Sequence, residues 1–396
     1  MTRPDRRDPR TLGALSAAVH AGNAPDAATG AIKTPLTLAN SYEFPADPTA
    51  IDWSVNDQLL YTRTSGANQL SLQAKLAAIE GAEAAATFAS GVAAMHAVLF
   101  TLLRSGDHVV CSDILYEATF NLLVDLLPRK YGITATLVDA TDPAAVAAAM
   151  RPETRIVFAE TIANPTTTVA DLPALAAIAH AHDALLVVDA TFTPPPVLRP
   201  LEHGADLVVH SITKYINGHG DGLGGAVLGR ASLVDAIKRE AMVDVGGVIS
   251  PFNAWLIQRG AVTLPLRMRQ VNESAARVAA FLADDPRVAW VRYPGLPAHP
   301  QHELALRLMP HGQSGMLAFA PHGGTEDLNA FVGRLRLFTS ATSLGHDESL
   351  VAHVAKSGPR QDRYGAPFTD HGTLRLSIGL EDAEDLLADL DAALGR

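Results

Sequence analysis

Three short runs constrain this chain most: TRIVFAET at 154–161, ALLVVDAT at 184–191 and ADLVVHS at 205–211. Each is rich in β-branched and aliphatic residues and lacks the polar alternation of a strand with one wet face, so each reads as a strand covered on both sides. Between the first two lies DLPALAAIAHAHD, a helical pattern with Asp171 placed to cap it. Strand, helix, strand is the connection that parallel neighbours require, which predicts an α/β fold: a mainly parallel sheet with helices on both faces. Upstream, QLSLQAKLAAIEGAE and VAAMHAVLFTLLRSGD carry apolar residues at helical spacing, and HVVCSD is strand-like.

Past residue 255 the texture changes. A helical stretch from Trp255 to Leu282 is interrupted by Gly260 and Pro265, followed by strand-like GMLAFAP, RLRLFTSA and TLRLSIGL, with helices around 325–334 and 382–394. These predict a large domain over 61–255 and a smaller α+β domain over 256–396. Residues 1–60, rich in Pro, Asn, Asp and Thr and with little periodicity, read as an extended arm.

With 396 residues, 48% of them hydrophobic, the chain can bury a large core. A formal net charge of −11 and the lack of a basic stripe argue against a nucleic-acid partner. No apolar run approaches the roughly 20 residues that span a bilayer, and the basic start MTRPDRRDPR leads into no continuous signal-peptide core, so a cytoplasmic protein without membrane partners is expected. The single cysteine, Cys111, lies in a strand-like run and reads as a small buried residue.

HSITKYINGHGDGLGG, residues 210–225, admits two chemistries. Gly220, Gly222 and Gly225 match the dinucleotide fingerprint, but that pattern has meaning only straight after a strand and at the start of a helix. Here Gly220 lies nine positions past Ser211, and the glycines lead into strand-like AVLG. Lys214, just past a strand and flanked by Ser211 and Thr213, suits an amine that forms a Schiff base with pyridoxal 5'-phosphate, the hydroxyls taking the phosphate. A surface lysine is the plain alternative. Two further features weigh against it: Asp189 at the carboxyl end of a strand could keep a pyridine nitrogen protonated, and Ser90, Gly91 and Val92 form a strand-to-helix turn able to donate N–H groups to a phosphate. His180-x-His182-Asp183 sits where a helix ends, where a histidine suits the helix dipole, so no metal site is expected. His210 and His219 read as packing or hydrogen-bonding residues.

At this point the chain resembles the Cys/Met-metabolism pyridoxal-phosphate enzymes, a family of γ- and β-lyases and γ-replacement transferases. HSITKYINGHGD is highly specific to it; AVHAGNAPDAATGAI, YTRTSGANQLSLQAKLAAIEGAEAA, FASGVAAM, GDHVVCSDILYEATF, ETIANPTTTVADL, VVDATFTPP and TLRLSIGLEDAEDLLADL are similar to its other signatures. Among its members, methionine γ-lyase is the one the chain looks most like.

The resemblance implies the fold-type I architecture and a set of roles. Lys214 would bind the cofactor and move the substrate's protons, Asp189 would face the ring nitrogen, and Tyr116 would stack on the ring and protonate the leaving group. Asn164 would contact the cofactor's phenolic oxygen, and Arg375, with Ser343 beside it, would hold the substrate carboxylate. Tyr61 and Arg63 would reach the phosphate of a neighbouring subunit, implying a homo-oligomer, a dimer of dimers with shared sites. The expected reaction is γ-elimination on a homoserine-type amino acid, giving 2-oxobutyrate and ammonia; γ-replacement on an activated homoserine is the alternative and β-elimination a lesser one.

The chain also departs from the family. Ala118 replaces the cysteine usual in methionine γ-lyases, Glu117 replaces the glycine after the tyrosine, and 351–372 does not match the family's segment there. If Glu117 faces the pocket, the substrate should carry a cationic distal group, as cystathionine or canavanine does.

Overall fold

The computed structural model describes residues 8–52, 57–354 and 358–395. The first seven residues of the expected arm and positions 355–357 of the divergent segment lie outside them.

Seven strands form the main sheet: β1 Ala84–Phe88, β2 His108–Ser112, β3 Thr134–Val138, β4 Thr154–Glu160, β5 Leu185–Asp189, β6 Leu207–His210 and β7 Gly225–Gly229. Their spatial order is β1-β7-β6-β5-β4-β2-β3. Strands β2 to β6 run parallel to one another, while β7 is antiparallel to both β1 and β6. The three runs read as two-faced strands are β4, β5 and β6, at the centre of the sheet. Side chains that alternate along them enter two separate clusters, Val157, Ala159, Leu186 and Val188 on one face, Ile156, Phe158 and Val187 on the other. Double-sided coverage is what removed the polar alternation.

Local signals place the crossover helices. Asp171 caps the helix Leu172–Ala181 by accepting from Ala174 N at 3.3 Å. Ser90 does the same for Gly91–Leu102, accepting from Ala93 N at 3.1 Å. The expected helical stretch after 255 is two helices, Pro251–Ala261 and Leu264–Asp284, broken at Val262–Thr263 between Gly260 and Pro265. Gly260 is required by packing, since a Cβ there would meet the Asn217 carbonyl oxygen at 2.2 Å.

A second sheet holds β8 Val288–Arg292, β9 Met316–Pro321, β10 Thr339–Ser340, β11 Leu350–Val354 and β12 Thr373–Ser377, in the order β10-β11-β12-β9-β8. Two expectations fail here. RLRLFTSA is not a strand along its length: Arg334 ends the helix Thr325–Arg334, the Asp389 carboxylate accepts from Arg336 N and Leu337 N, and only Thr339–Ser340 pairs with β11. Strand β11 falls in the segment that carried no family signal. The first sixty residues are also not extended throughout: Ala14–His20 is a helix whose Ala17 and Ala18 enter the main core. No helix among the described residues is long and apolar enough to cross a membrane.

Candidate active site

The carboxyl ends of β4, β5 and β6 open into a cavity of about 760 Å³ that reaches across to the second sheet. Open α/β sheets bind ligands at such ends. Ser90, Gly91, Val92, Tyr116, Glu117, Asn164, Asp189, Ser211, Thr213, Lys214, Ser343 and Arg375 all line it. Residues nearly 300 positions apart in sequence thus meet in one space.

Lys214 follows β6 in a turn, and its Nζ donates to Ser343 Oγ at 2.9 Å. Burial, reinforced by the nearby Arg375, pushes the amine down to about 8. An amine so depressed is free base far more often at neutral pH, as a Schiff-base nucleophile must be. Asp189 ends β5; its Oδ1 accepts from Thr191 N at 2.9 Å. Burial raises its carboxyl above the ordinary range, so its charged form gains from a cation placed against it.

The N-terminus of the twelve-residue helix Gly91–Leu102 points its unpaired N–H groups into the cavity rim beside Ser211. The approach is close: a Cβ on Gly91 would lie 2.6 Å from Ser211 Cβ, and one on Gly225 would lie 2.1 Å from the Ser90 oxygen. The Thr213 hydroxyl is already spent, donating to Gly224 O at 3.1 Å and accepting from Gly224 N at 3.0 Å. Gly225 opens β7, so no helix N-terminus follows the glycine cluster and the dinucleotide geometry is missing.

Arg375, on β12, has its guanidinium buried. It donates to Asn164 Oδ1 at 3.0 Å and to the Thr342 and Ser343 carbonyl oxygens at 2.9 Å each, while its buried Nε has no partner among the described residues. Burial lowers it to about 10, which leaves it a cation at neutral pH. A buried cation with an unspent donor is fitted to receive a carboxylate. The Tyr116 ring is 45% exposed on the wall of the cavity, free to cover a planar ligand.

Tyr61 and Arg63 do not line this cavity. Arg63 donates to the Val243 carbonyl oxygen, and its guanidinium lies 5.6 Å from the Tyr61 ring centroid. The histidines set aside as metal ligands have other partners: His180 Nε2 meets Asp206 Oδ2 at 2.8 Å and His182 Nδ1 meets Ile178 O at 2.9 Å. His210 pairs with Glu80 at 2.9 Å, both fully buried, and His219 Nδ1 meets Asn217 O at 2.7 Å.

Sequence reasoning missed several lining residues. Glu160 was in view within ETIANP, but no pattern distinguishes a strand-end carboxylate from a surface one. His353, Arg360 and Gln361 also line the cavity and come from the divergent segment. Arg360 donates to Leu115 O at 3.0 Å and lies 5.6 Å from the Tyr364 ring centroid.

A depressed lysine, a strand-end carboxylate, a helix N-terminus and a buried arginine at the carboxyl edge of a parallel sheet define a fold-type I pyridoxal-phosphate enzyme, and these donors fit that cofactor. The family model described as Cys/Met metabolism PLP-dependent enzyme matches residues 16–395, and the chain belongs to that family. It is 56% identical to the canavanine gamma-lyase of Pseudomonas canavaninivorans, over 99% of this chain and 98% of that protein. Identity to the L-methionine gamma-lyase of Porphyromonas gingivalis is 40%, over 98% of each, so the expected leaning toward methionine γ-lyase gives way. The solved cystathionine gamma-lyase from Lactobacillus plantarum, complexed with L-serine, superposes with a TM-score of 0.89 at 35% identity, covering 96% of this chain and 98% of that one.

Proposed function

We propose that this enzyme is a γ-lyase that cleaves the γ-carbon–oxygen bond of canavanine or a closely similar amino acid with a cationic γ-substituent. The observation that carries the reading is Glu117, which lines the cavity next to Tyr116, the residue assigned here to the leaving group. The 56% identity to a canavanine gamma-lyase supports it. When bound, pyridoxal phosphate supplies the electron sink for the carbanions at the α- and β-carbons.

The chain's own residues supply the rest. Arg375 holds the α-carboxylate through its unspent donors, with Ser343 close to both it and Lys214. Lys214 takes the α-proton and then a β-proton, and Asp189 would hold the ring nitrogen protonated. Tyr116 gives a proton to the departing group, and Glu117 pairs with its guanidinium. For canavanine the group that leaves is hydroxyguanidine. The remaining four-carbon unit is hydrolysed to 2-oxobutyrate and ammonia or is captured by a nucleophile.

The active unit is a homo-oligomer in which Tyr61 and Arg63 serve the neighbouring subunit. Supporting this, the segment that leads to them exposes apolar side chains, Ile32 and Leu38 at 73% each. The free, buried Cys111 fits a reducing compartment such as the cytoplasm.

The test is a panel of canavanine, cystathionine and methionine, scored for hydroxyguanidine and 2-oxoacid release with and without added thiol. Canavanine should have the highest kcat/KM, and Glu117→Gly should lower it roughly ten- to a hundredfold relative to methionine, the worth of one charge-assisted hydrogen bond. A wild-type preference for methionine, or an unchanged ranking in the variant, refutes the role of Glu117. Thiol incorporation in place of 2-oxoacid release would make the enzyme a γ-replacement transferase.

A further inference from the structure

Glu160 is the last residue of β4 and pairs in register with Asp189, the last residue of β5, so two carboxylates stand side by side at the buried edge of the sheet. Such a pair is expensive. Burial and the proximity of Asp189 both push the Glu160 carboxyl upward, and a glutamate this buried persists only where its oxygens are satisfied. Both are. Oε1 accepts from Tyr116 N and Oε2 accepts from Asn164 N at 3.1 Å.

Those two donors belong to different loops. Tyr116 follows β2 and presents its ring to the cavity; Asn164 follows β4, and its side-chain oxygen receives the Arg375 guanidinium at 3.0 Å. One carboxylate therefore joins the wall that would cover the cofactor ring to the wall that carries the substrate-side arginine.

We propose that Glu160 is a positioning residue that sets the width of the cofactor slot by holding the backbone N–H groups of Tyr116 and Asn164 on its two oxygens. This rests on the reading of the cavity as a pyridoxal-phosphate site. An amide cannot do the same task, because glutamine offers one accepting oxygen and turns an NH₂ group against the other backbone N–H. Aspartate keeps both acceptors but is one methylene shorter, so one loop must move to reach it.

The experiment uses the cofactor-free and loaded forms of wild type, Glu160→Gln and Glu160→Asp, with Lys214→Ala as a reference. Cofactor affinity is measured by titration, the geometry of the bound ring by its visible circular-dichroism band, and folding of the cofactor-free chains by thermal unfolding. Glu160→Gln should fold with an unfolding temperature close to that of wild type, since burial and Asp189 already disfavour a charge on Glu160, yet bind the cofactor at least tenfold more weakly with a smaller or inverted band. Glu160→Asp should recover part of both. Hydrogen exchange on wild type supplies a measurement that needs no variant: the amides of Tyr116 and Asn164 should be strongly protected.

Wild-type affinity and band in Glu160→Gln, or rapid exchange of the two amides in wild type, overturns the proposal. So does an affinity loss that merely follows a loss of stability in both variants. Failure of the underlying site reading looks different, because wild type itself would then take up no cofactor or bind it no better than Lys214→Ala.

Discussion

In the cofactor-free protein Lys214 carries a stability cost that its replacement should relieve. The amine falls from 10.5 to about 8 because the folded state shields it from water and sets Arg375 nearby. That displacement is worth on the order of 3 kcal/mol of differential binding of the proton. Lys214→Met keeps most of the volume and removes the charge, but forfeits the hydrogen bond to Ser343, worth about 1 kcal/mol. The variant should therefore be more stable than wild type by about 2 kcal/mol at pH 7, while losing all turnover. The unfolded chain binds this proton more tightly than the native one, so the cost to wild type is full below pH 8, shrinks as pH rises from 8 toward 10.5, and disappears above it. Urea unfolding of both cofactor-free proteins at several pH values isolates the effect, because the other titrating groups are common to the pair and cancel in the difference, and His346, which Lys214 helps push down, titrates below this pH range. A wild type that is the more stable of the two at pH 7, or a difference that is the same at pH 7 and pH 10, would refute the reasoning. The same depression has a catalytic side: at pH 7 it enlarges the fraction of free amine roughly 300-fold over an ordinary lysine.

Three other outcomes follow from the site. Asp189→Asn should fold normally and lower kcat by orders of magnitude, because it removes the charge that would face the ring nitrogen; near-wild-type rates would show that Asp189 does not act on the ring. Mixing Arg63→Ala with Lys214→Ala subunits should restore part of the activity, since mixed dimers hold one site with both residues intact, and no recovery after demonstrated subunit exchange would separate Arg63 from the neighbouring site. Gly91→Val should weaken cofactor binding at least tenfold, as even a Cβ at that position falls 2.6 Å from Ser211 Cβ; an unchanged dissociation constant would show that the helix N-terminus and Ser211 do not form the phosphate cradle.

What the sequence determined by itself was local or was carried by motif. The central strands were legible because β4, β5 and β6 are buried on both faces, and a two-faced strand has no polar alternation to confuse with anything else. Asp171 was legible as a cap because a helix must satisfy its first N–H groups within a few residues. Lys214, Asp189 and the Ser90-Gly91-Val92 turn could be singled out because they occur together and inside stretches that resemble the family's signatures, although each alone has an ordinary reading.

The tertiary structure decided what depends on partners far away in the chain. The antiparallel direction of β7 and the pairing of β11 in a segment without family signal are set by neighbouring strands, not by the residues themselves. Thr213 reads as a free hydroxyl until Gly224, eleven residues on, takes both its donor and its acceptor roles. Glu160 is an ordinary carboxylate in sequence and becomes costly only when β5 sets Asp189 beside it and two loops supply the N–H groups that satisfy it. Hydrogen bonds and burial are properties of pairs, and a pair separated by tens or hundreds of residues leaves no periodicity from which it can be read.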